Sequence, residues 1–224
     1  MKTKTTKQNS GTIVTGLKRP NWICRLTRQI VILVRDVSGS MGGEKGRDAN
    51  KACNNLVSEL AQPINKDGFF VGVADFTSTA EIIHNLTPAT ELDGKISPLV
   101  AKDSTNITDG LAKALDLLEQ PCGDGDVSFL RPVVILFTDG RANAGGSPGS
   151  VADEVKTQAD LVTVAFGADA DNDLLRNLAS TPEHFYKVND GRGLRSFLAT
   201  VGATLTSTIA RKTNATQALS QIQQ

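Results

Sequence analysis

The 224-residue sequence predicts an α/β fold, with a doubly wound, mostly parallel central sheet, one antiparallel edge strand and helices on both faces. Three observations lead to this prediction. Aliphatic, β-branched runs of strand length recur along the chain, and stretches with apolar residues three and four positions apart alternate with them. A short polar link joins two of the strand-like runs. This alternation is typical of a sheet whose parallel strands are connected through helices.

The first half of the chain contains strand, helix and hairpin signals in that order. Residues 29–34 are almost continuously apolar, which is typical of a strand buried on both faces of a parallel sheet. Apolar residues at helical spacing predict a helix over 44–62. Residues 69–76 and 80–86 are strand-like and are separated by the polar residues 77–79, so we expect an antiparallel hairpin.

The second half repeats the alternation of strand and helix. Its predicted elements are a helix around 111–118, a strand over 133–137, a helix over 150–159, a strand over 161–166, a short helix around 174–178, an edge strand over 184–188 and a final helix around 194–205. In such sheets, ligands bind outside the carboxyl ends of the strands, where the strand order reverses. Functional residues are therefore expected just after Val34 and just after Phe137.

The length fits one domain, which we place at 18–209 between a flexible basic arm (1–17) and a polar C-terminal tail (210–224). The 24 basic and 24 acidic side chains balance, which argues against a nucleic-acid-binding protein. Residues 1–35 nevertheless carry eight basic side chains and no acidic ones, and the other 189 residues have a net charge of −8. The arm is either a solvated tail or a segment that docks on an acidic partner.

The sequence also predicts a cytoplasmic protein without a membrane span. No apolar run reaches the roughly 18 residues that a transmembrane helix needs, and the start of the chain has no hydrophobic stretch of signal-peptide length. The three cysteines, Cys24, Cys53 and Cys122, form an odd number without a CxxC motif. Reduced thiols are therefore expected.

A polar cluster follows the first predicted strand. Asp36, Ser38 and Ser40 alternate along the chain, and Gly39 allows a tight turn in which their side chains converge. They offer one carboxylate and two hydroxyl groups. Alternatively, Asp-x-Ser-x-Ser is only a helix N-cap and turn cluster, since these residue types favour such positions.

Two further oxygen donors are expected beside this cluster. Asp139 follows the strand over 133–137, and Thr105 lies in a loop between the two strands. None of the three loops contains a cysteine or a histidine. A set made only of oxygen donors suits a hard cation such as Mg²⁺.

These motifs resemble those of the von Willebrand factor A domain and its metal-ion-dependent adhesion site. The family's Asp-x-Ser-x-Ser is similar to Asp36, Ser38 and Ser40 in DVSGSM. Its threonine is similar to Thr105 in STNI, and its later aspartate to Asp139 in ILFTDG. The resemblance implies a Rossmann-like fold and a Mg²⁺ ion, with Mn²⁺ or Ca²⁺ as substitutes, bound by these five residues.

The resemblance extends over residues 29–208 and has two departures. Ser104 stands where the family usually has a glycine before the threonine. Arg35 stands where the family often has an apolar residue, and its guanidinium either pairs with an acidic group or points into solvent. The glycine-rich loop 141–150 is expected to be mobile and to rearrange when a ligand binds.

The resemblance implies a non-enzymatic protein–protein interaction module. In this family the metal ion accepts a carboxylate from a protein ligand, so the expected partner is a protein with an exposed Asp or Glu. The chain is similar in length to stand-alone bacterial cytoplasmic members, including those associated with tellurite resistance and stress signalling. Two alternatives stay open: a substrate-recruiting or scaffold subunit of an ATP-driven or stress-response complex, and a Mg²⁺-dependent phosphohydrolase. The sequence offers no Asp-x-Asp motif or convincing general base for the latter.

Overall fold

A computed structural model of the protein describes residues 26–101, 104–122 and 127–222. The strands are β1 (Leu26–Asp36), β2 (Phe69–Phe76), β3 (Ala80–Pro88), β4 (Val127–Phe129), β5 (Val133–Thr138), β6 (Asp160–Phe166) and β7 (Phe185–Val188). The α-helices are α1 (Glu44–Leu60), α2 (Ala89–Leu92), α3 (Ile107–Leu118), α4 (Gly149–Gln158), α5 (Asn172–Leu178), α6 (Gly191–Arg211) and α7 (Thr216–Leu219). The predicted basic arm at 1–17 lies outside the described residues, as does Cys24.

The strands form one sheet in the order β3-β2-β1-β5-β6-β7. The short strand β4 pairs with the first residues of β1, Leu26–Arg28, whereas β5 pairs with the later residues Val31–Arg35. Neighbouring strands are parallel except β2 and β3, which form the predicted antiparallel hairpin at one edge. After the central strand β1, the chain adds β2 and β3 on one side of it and later adds β5, β6 and β7 on the other side. The predicted fold class is confirmed, and the strand order reverses between β1 and β5.

Both faces of the sheet are buried because helices cover each of them. Val31 and Leu33 of β1 belong to a core that includes apolar residues of α1 and α6. Ile32 and Val34 belong to a second core, formed with α3, α4 and α5. Successive side chains of a strand point to opposite faces, so one apolar strand contributes to two cores.

Residues 210–222 differ from the polar tail predicted over 210–224, whose last two residues lie outside the described part of the chain. Helix α6 continues to Arg211 and α7 follows it. Ala215 and Leu219 are fully buried, and Ile222 packs against the same core. These apolar residues lie three and four positions apart, which gives an otherwise polar segment one face that packs on the domain.

Three short elements were not predicted from the sequence: β4, α2 and α7. Each has only three or four residues, which is too few to show a helical or strand period. Among the helices of the described ranges, none combines the length and the apolar character needed to cross a membrane.

Candidate functional site

The predicted site residues lie at the carboxyl edge of the sheet, where the strand order reverses. Asp36 is the last residue of β1, and Asp139 directly follows β5. The two strands pair in parallel, with Arg35 opposite Phe137, so both carboxylates emerge at the same edge. Both side chains are buried.

The turn after β1 brings the two serine hydroxyls together. The Ser38 backbone N–H donates to Asp36 Oδ1 at 2.7 Å, and the Met41 N–H donates to the Ser38 carbonyl at 2.9 Å. Met41 is buried and fixes the far end of the turn in the core. As a result, Ser38 Oγ and Ser40 Oγ lie 3.0 Å apart.

Ser40 connects this turn to the neighbouring strand. Its hydroxyl donates to Asp139 Oδ1 at 2.6 Å. Ser38, Ser40 and Asp139 therefore form a continuous chain of oxygen atoms across the gap between β1 and β5. The sequence-based expectation that Ser38, Ser40 and Asp139 come together agrees with this geometry.

The second carboxylate oxygen of Asp36 accepts a hydrogen bond from the Thr138 hydroxyl, a contact that was not predicted. Burial raises the pKa of the Asp36 carboxyl, and the negative charge of Asp139 adds to the rise. Hydrogen bonds from Thr138 and Ser38 oppose it. Any positive charge that neutralises these two acids will therefore favour the ionised form of Asp36.

Thr105 borders the same space from the loop before α3. A β-carbon placed on Gly140 would lie 3.4 Å from Thr105 Oγ1 and 3.9 Å from Ser40 Oγ, so both hydroxyls face the backbone that follows Asp139. The Thr105 N–H donates to Asn143 Oδ1 at 2.8 Å, and the Asn143 N–H donates back to the Thr105 carbonyl at 3.1 Å. This reciprocal pair fixes Thr105 against the loop after β5.

The same contacts bear on the glycine-rich loop 141–150. In addition to the contacts of Asn143, the loop is bound by the Thr108 hydroxyl, which donates to the Gly146 carbonyl at 2.7 Å. Thr108 is thus directed to the loop, whereas Thr105 borders the carboxylates. Rearrangement of the loop on ligand binding stays a prediction, and it would have to break these bonds.

Ser104, the departure noted before Thr105, adopts a left-handed backbone conformation with φ = 76°. Glycine reaches this region without the steric cost that a β-carbon brings. We expect Ser104→Gly to raise the free energy of unfolding by about 0.5–1 kcal/mol, measured by urea denaturation. Ser147→Gly, in an exposed loop position without positive φ, serves as the control and is expected to be neutral or slightly destabilising. Equal effects of the two substitutions would contradict the strain assigned to Ser104.

Lys45 also reaches the site, although it was not among the residues predicted from the sequence. It lies in the first turn of α1, and its Nζ donates to Asp139 Oδ2 at 2.6 Å. The Lys45 side chain is 41% exposed, whereas that of Asp139 is completely buried. A lysine shortly after Asp-x-Ser-x-Ser, at a helix start, is the only sequence signal for this contact.

Arg35 pairs with an acidic group, which decides between the two alternatives left open by the sequence. Its Nε donates to Asp75 Oδ1 at 2.6 Å and its Nη2 to Asp75 Oδ2 at 2.9 Å. Its Nη1 donates to the Ser97 carbonyl at 3.2 Å and to Asn50 Oδ1 at 3.3 Å. The guanidinium thus lies inside the domain, immediately before Asp36.

The donor chemistry fits a hard divalent cation. Two carboxylates match the charge of such an ion, and three hydroxyl oxygens can complete an all-oxygen set. Within residues 26–101, 104–122 and 127–222, no three Asp, Glu, His or Cys side chains come together as a metal-binding group.

The chain was compared with known families and proteins. The model of the von Willebrand factor type A domain matches residues 30–200. Inter-alpha-trypsin inhibitor heavy chain H3 of Mus musculus is 27% identical over 157 residues, which cover 66% of this chain and 18% of that protein. Calcium-activated chloride channel regulator 4 of Homo sapiens is 30% identical over 171 residues, which cover 73% of this chain and 18% of that protein. The matched part is therefore less than a fifth of either relative.

A solved structure extends the comparison to three dimensions. Proximal thread matrix protein 1 from the mussel byssus, with a zinc-occupied MIDAS motif, superposes with a TM-score of 0.61 and 21% identity. The similarity covers 81% of this chain and 46% of that one and shows a shared fold. The family match spans most of the chain, and the observed fold agrees with it. The chain belongs to the von Willebrand factor type A domain family.

Proposed function

We propose that this protein is a non-enzymatic interaction module that binds a carboxylate-bearing partner protein through a divalent metal ion. The proposed ligands of the ion are Asp36, Ser38, Ser40, Thr105 and Asp139. The observation that carries the proposal is the run of oxygen contacts from Ser38 to Ser40 (3.0 Å) and on to Asp139 (2.6 Å), at the edge where ligands of such sheets bind.

The proposed ion is Mg²⁺, with Mn²⁺ or Ca²⁺ as substitutes. Carboxylate and hydroxyl oxygens are the donors that these hard cations prefer, whereas zinc sites are built mainly from cysteine and histidine. The bound metal ion supplies a positive charge to which an Asp or Glu of the partner binds. Hydroxyl donors support this role because they add no negative charge that would repel the incoming carboxylate.

Two depressions beside the site would contact the rest of the partner. One, of about 260 Å³, has a mixed lining that includes the apolar Val37 and Val100 and the acidic Asp75 and Glu81. The other, of about 480 Å³, includes Arg47 and Lys51. We infer that the preferred partner segment places further acidic residues beside the metal-bound carboxylate, where Arg47 and Lys51 would attract them.

The test is metal-dependent capture of partners. The wild-type domain is immobilised, exposed to an extract of the native host in Mg²⁺ and eluted with EDTA. Proteins that bind through the site are expected in the wild-type eluate and absent from that of Asp36→Asn. Asp116→Asn, an exposed position on α3, is the matched control and is expected to behave as wild type. Identical eluates from wild type and Asp36→Asn would contradict metal-bridged binding.

The proposal extends to a cytoplasmic scaffold or recruiting subunit of a stress-response complex, which rests on the resemblance in sequence. Cell fractionation and identification of the EDTA-eluted proteins test this extension. Magnesium-dependent hydrolysis of a phosphate ester by wild type, lost in Asp36→Asn, would instead favour the phosphohydrolase alternative.

A further inference from the structure

Lys45 places an ammonium group directly on one of the proposed metal ligands. Its Nζ lies 2.6 Å from Asp139 Oδ2, while Ser40 Oγ donates to Oδ1 of the same carboxylate at 2.6 Å. Both oxygens of Asp139 are therefore bound by donors of this chain. The Lys45 ammonium and a divalent ion are both attracted to the negative charge of the buried Asp139 carboxylate.

We propose that Lys45 is an internal cation that competes with the metal ion for Asp139 and so sets the metal affinity of the site. The inference rests on the proposed function, because it assumes that a divalent ion binds there. A metal ion that uses Asp139 has to replace the ammonium or share the carboxylate with it, and either event costs free energy of binding.

The different burial of the Lys45 and Asp139 side chains is suited to such an exchange. The Asp139 side chain is completely buried, so its charge is costly to leave unpaired. The Lys45 side chain is 41% exposed and long, so its ammonium reaches water by rotation about its own stem. The Asp139 carboxylate is therefore fixed in place, whereas the Lys45 ammonium can move away from it.

The surroundings of Lys45 leave open space for a displaced ammonium. Nζ lies beside the turn at Gly167, 3.6 Å from the point where a β-carbon on that glycine would stand. Lys45 also lines a surface depression of about 440 Å³ together with Glu44 and Asp48. Two carboxylates therefore line this depression, that of Asp48, which is bound to Arg195 at 2.5 Å, and that of Glu44.

The competition predicts two effects of opposite sign when the ammonium is removed. Without metal, Lys45→Met leaves the buried Asp139 charge unpaired, and the domain loses thermal stability. With metal, the competitor is absent and affinity rises. A lysine with only a structural role would produce the first effect without the second.

The experiment measures both effects in the full chain. Mg²⁺ and Mn²⁺ are titrated calorimetrically into wild type, Lys45→Met, Lys45→Arg and Lys113→Met, and melting temperatures are recorded in EDTA and in excess Mg²⁺. Lys45→Met is expected to bind Mg²⁺ about tenfold more tightly than wild type. It is also expected to melt roughly 3–6 °C lower in EDTA.

The other two variants serve as controls. Lys45→Arg keeps the positive charge and is expected to bind Mg²⁺ within about threefold of wild type. Lys113→Met removes the lysine of an exposed ion pair on α3 and is expected to change neither measurement. Should Lys45→Met unfold in EDTA, the ε-ammonium NMR signal of Lys45 in wild type replaces it, and that signal is expected to change on addition of Mg²⁺.

The outcomes separate this inference from the proposed function. If wild type binds Mg²⁺ and Lys45→Met binds it equally or more weakly, the competition is wrong and the proposed metal site stands. If neither wild type nor Lys45→Met binds Mg²⁺ or Mn²⁺, the proposed function itself fails. An ε-ammonium signal unchanged at saturating Mg²⁺ would also overturn the competition.

Discussion

Asp75→Ala is expected to lower the free energy of unfolding by about 3–5 kcal/mol, because it leaves a buried guanidinium without its counter-ion. Arg35 is completely buried, and the Asp75 side chain is only 8% exposed. Two parallel hydrogen bonds of 2.6 and 2.9 Å join them. The Ser97 carbonyl and Asn50, which also accept from Arg35, are neutral and cannot replace the lost charge. Urea denaturation measures the change.

Two comparisons make the result specific to burial. Asp116→Ala removes the acid of an exposed pair, Lys113 and Asp116 at 2.7 Å, and is expected to leave the unfolding curve unchanged. The double variant Arg35→Met with Asp75→Leu removes both charges and is expected to recover much of the lost stability. If Asp75→Ala and Asp116→Ala have equal effects, the ion pair does not hold this part of the domain together.

Asp36→Asn is expected to weaken Mg²⁺ binding by about two orders of magnitude or more, since it removes one of the two negative charges proposed to hold the ion. The substitution preserves shape. The amide oxygen can accept from the Ser38 N–H, and the amide nitrogen can donate to the Thr138 hydroxyl. We therefore expect the metal-free stability to stay within about 1 kcal/mol of wild type. Calorimetric titration and the Mg²⁺-dependent shift in melting temperature measure the loss.

The raised pKa of Asp36 gives this prediction a dependence on pH. Because burial raises the folded pKa above the unfolded one, the contribution of this group to stability is present at low pH and is lost as the pH rises from the unfolded pKa to the folded pKa. Metal binding has the opposite dependence, because the ion needs the carboxylate. Wild-type Mg²⁺ affinity is expected to fall as the pH is lowered through the folded pKa of Asp36. An affinity that stays constant over that range, or full Mg²⁺ binding by Asp36→Asn, would contradict its role as a ligand.

The sequence predicted the central architecture because the signals there are local. Runs such as 133–137 are long enough and apolar enough to define a buried strand. Once strands are known, the strand-end rule places Asp36 and Asp139 at one edge without any coordinates. The part of the site made by residues directly after strands was therefore accessible from the sequence.

The remaining contacts depend on register and on helix placement, which local patterns do not encode. Arg35 pairs with Asp75 because the β1–β2 register sets these two residues opposite each other. Lys45 meets Asp139 only because α1 starts beside the end of β5. The sequence of the C-terminal segment is mostly polar because only one of its faces is apolar. The structure shows that this face packs on the core.

The packing of that segment also determines how much of the chain is needed to build the domain. The stretch shared with the family ends at residue 200, in the middle of α6. Yet Leu219 is completely buried, its carbonyl accepts the Tyr186 hydroxyl, and Thr216 donates to Asp160 at 2.6 Å at the start of β6. These contacts cover the amino-terminal edge of the sheet, opposite the carboxyl edge where Asp36 and Asp139 lie. The packed domain of this protein therefore continues to Leu219, nineteen residues beyond the end of the family match at residue 200.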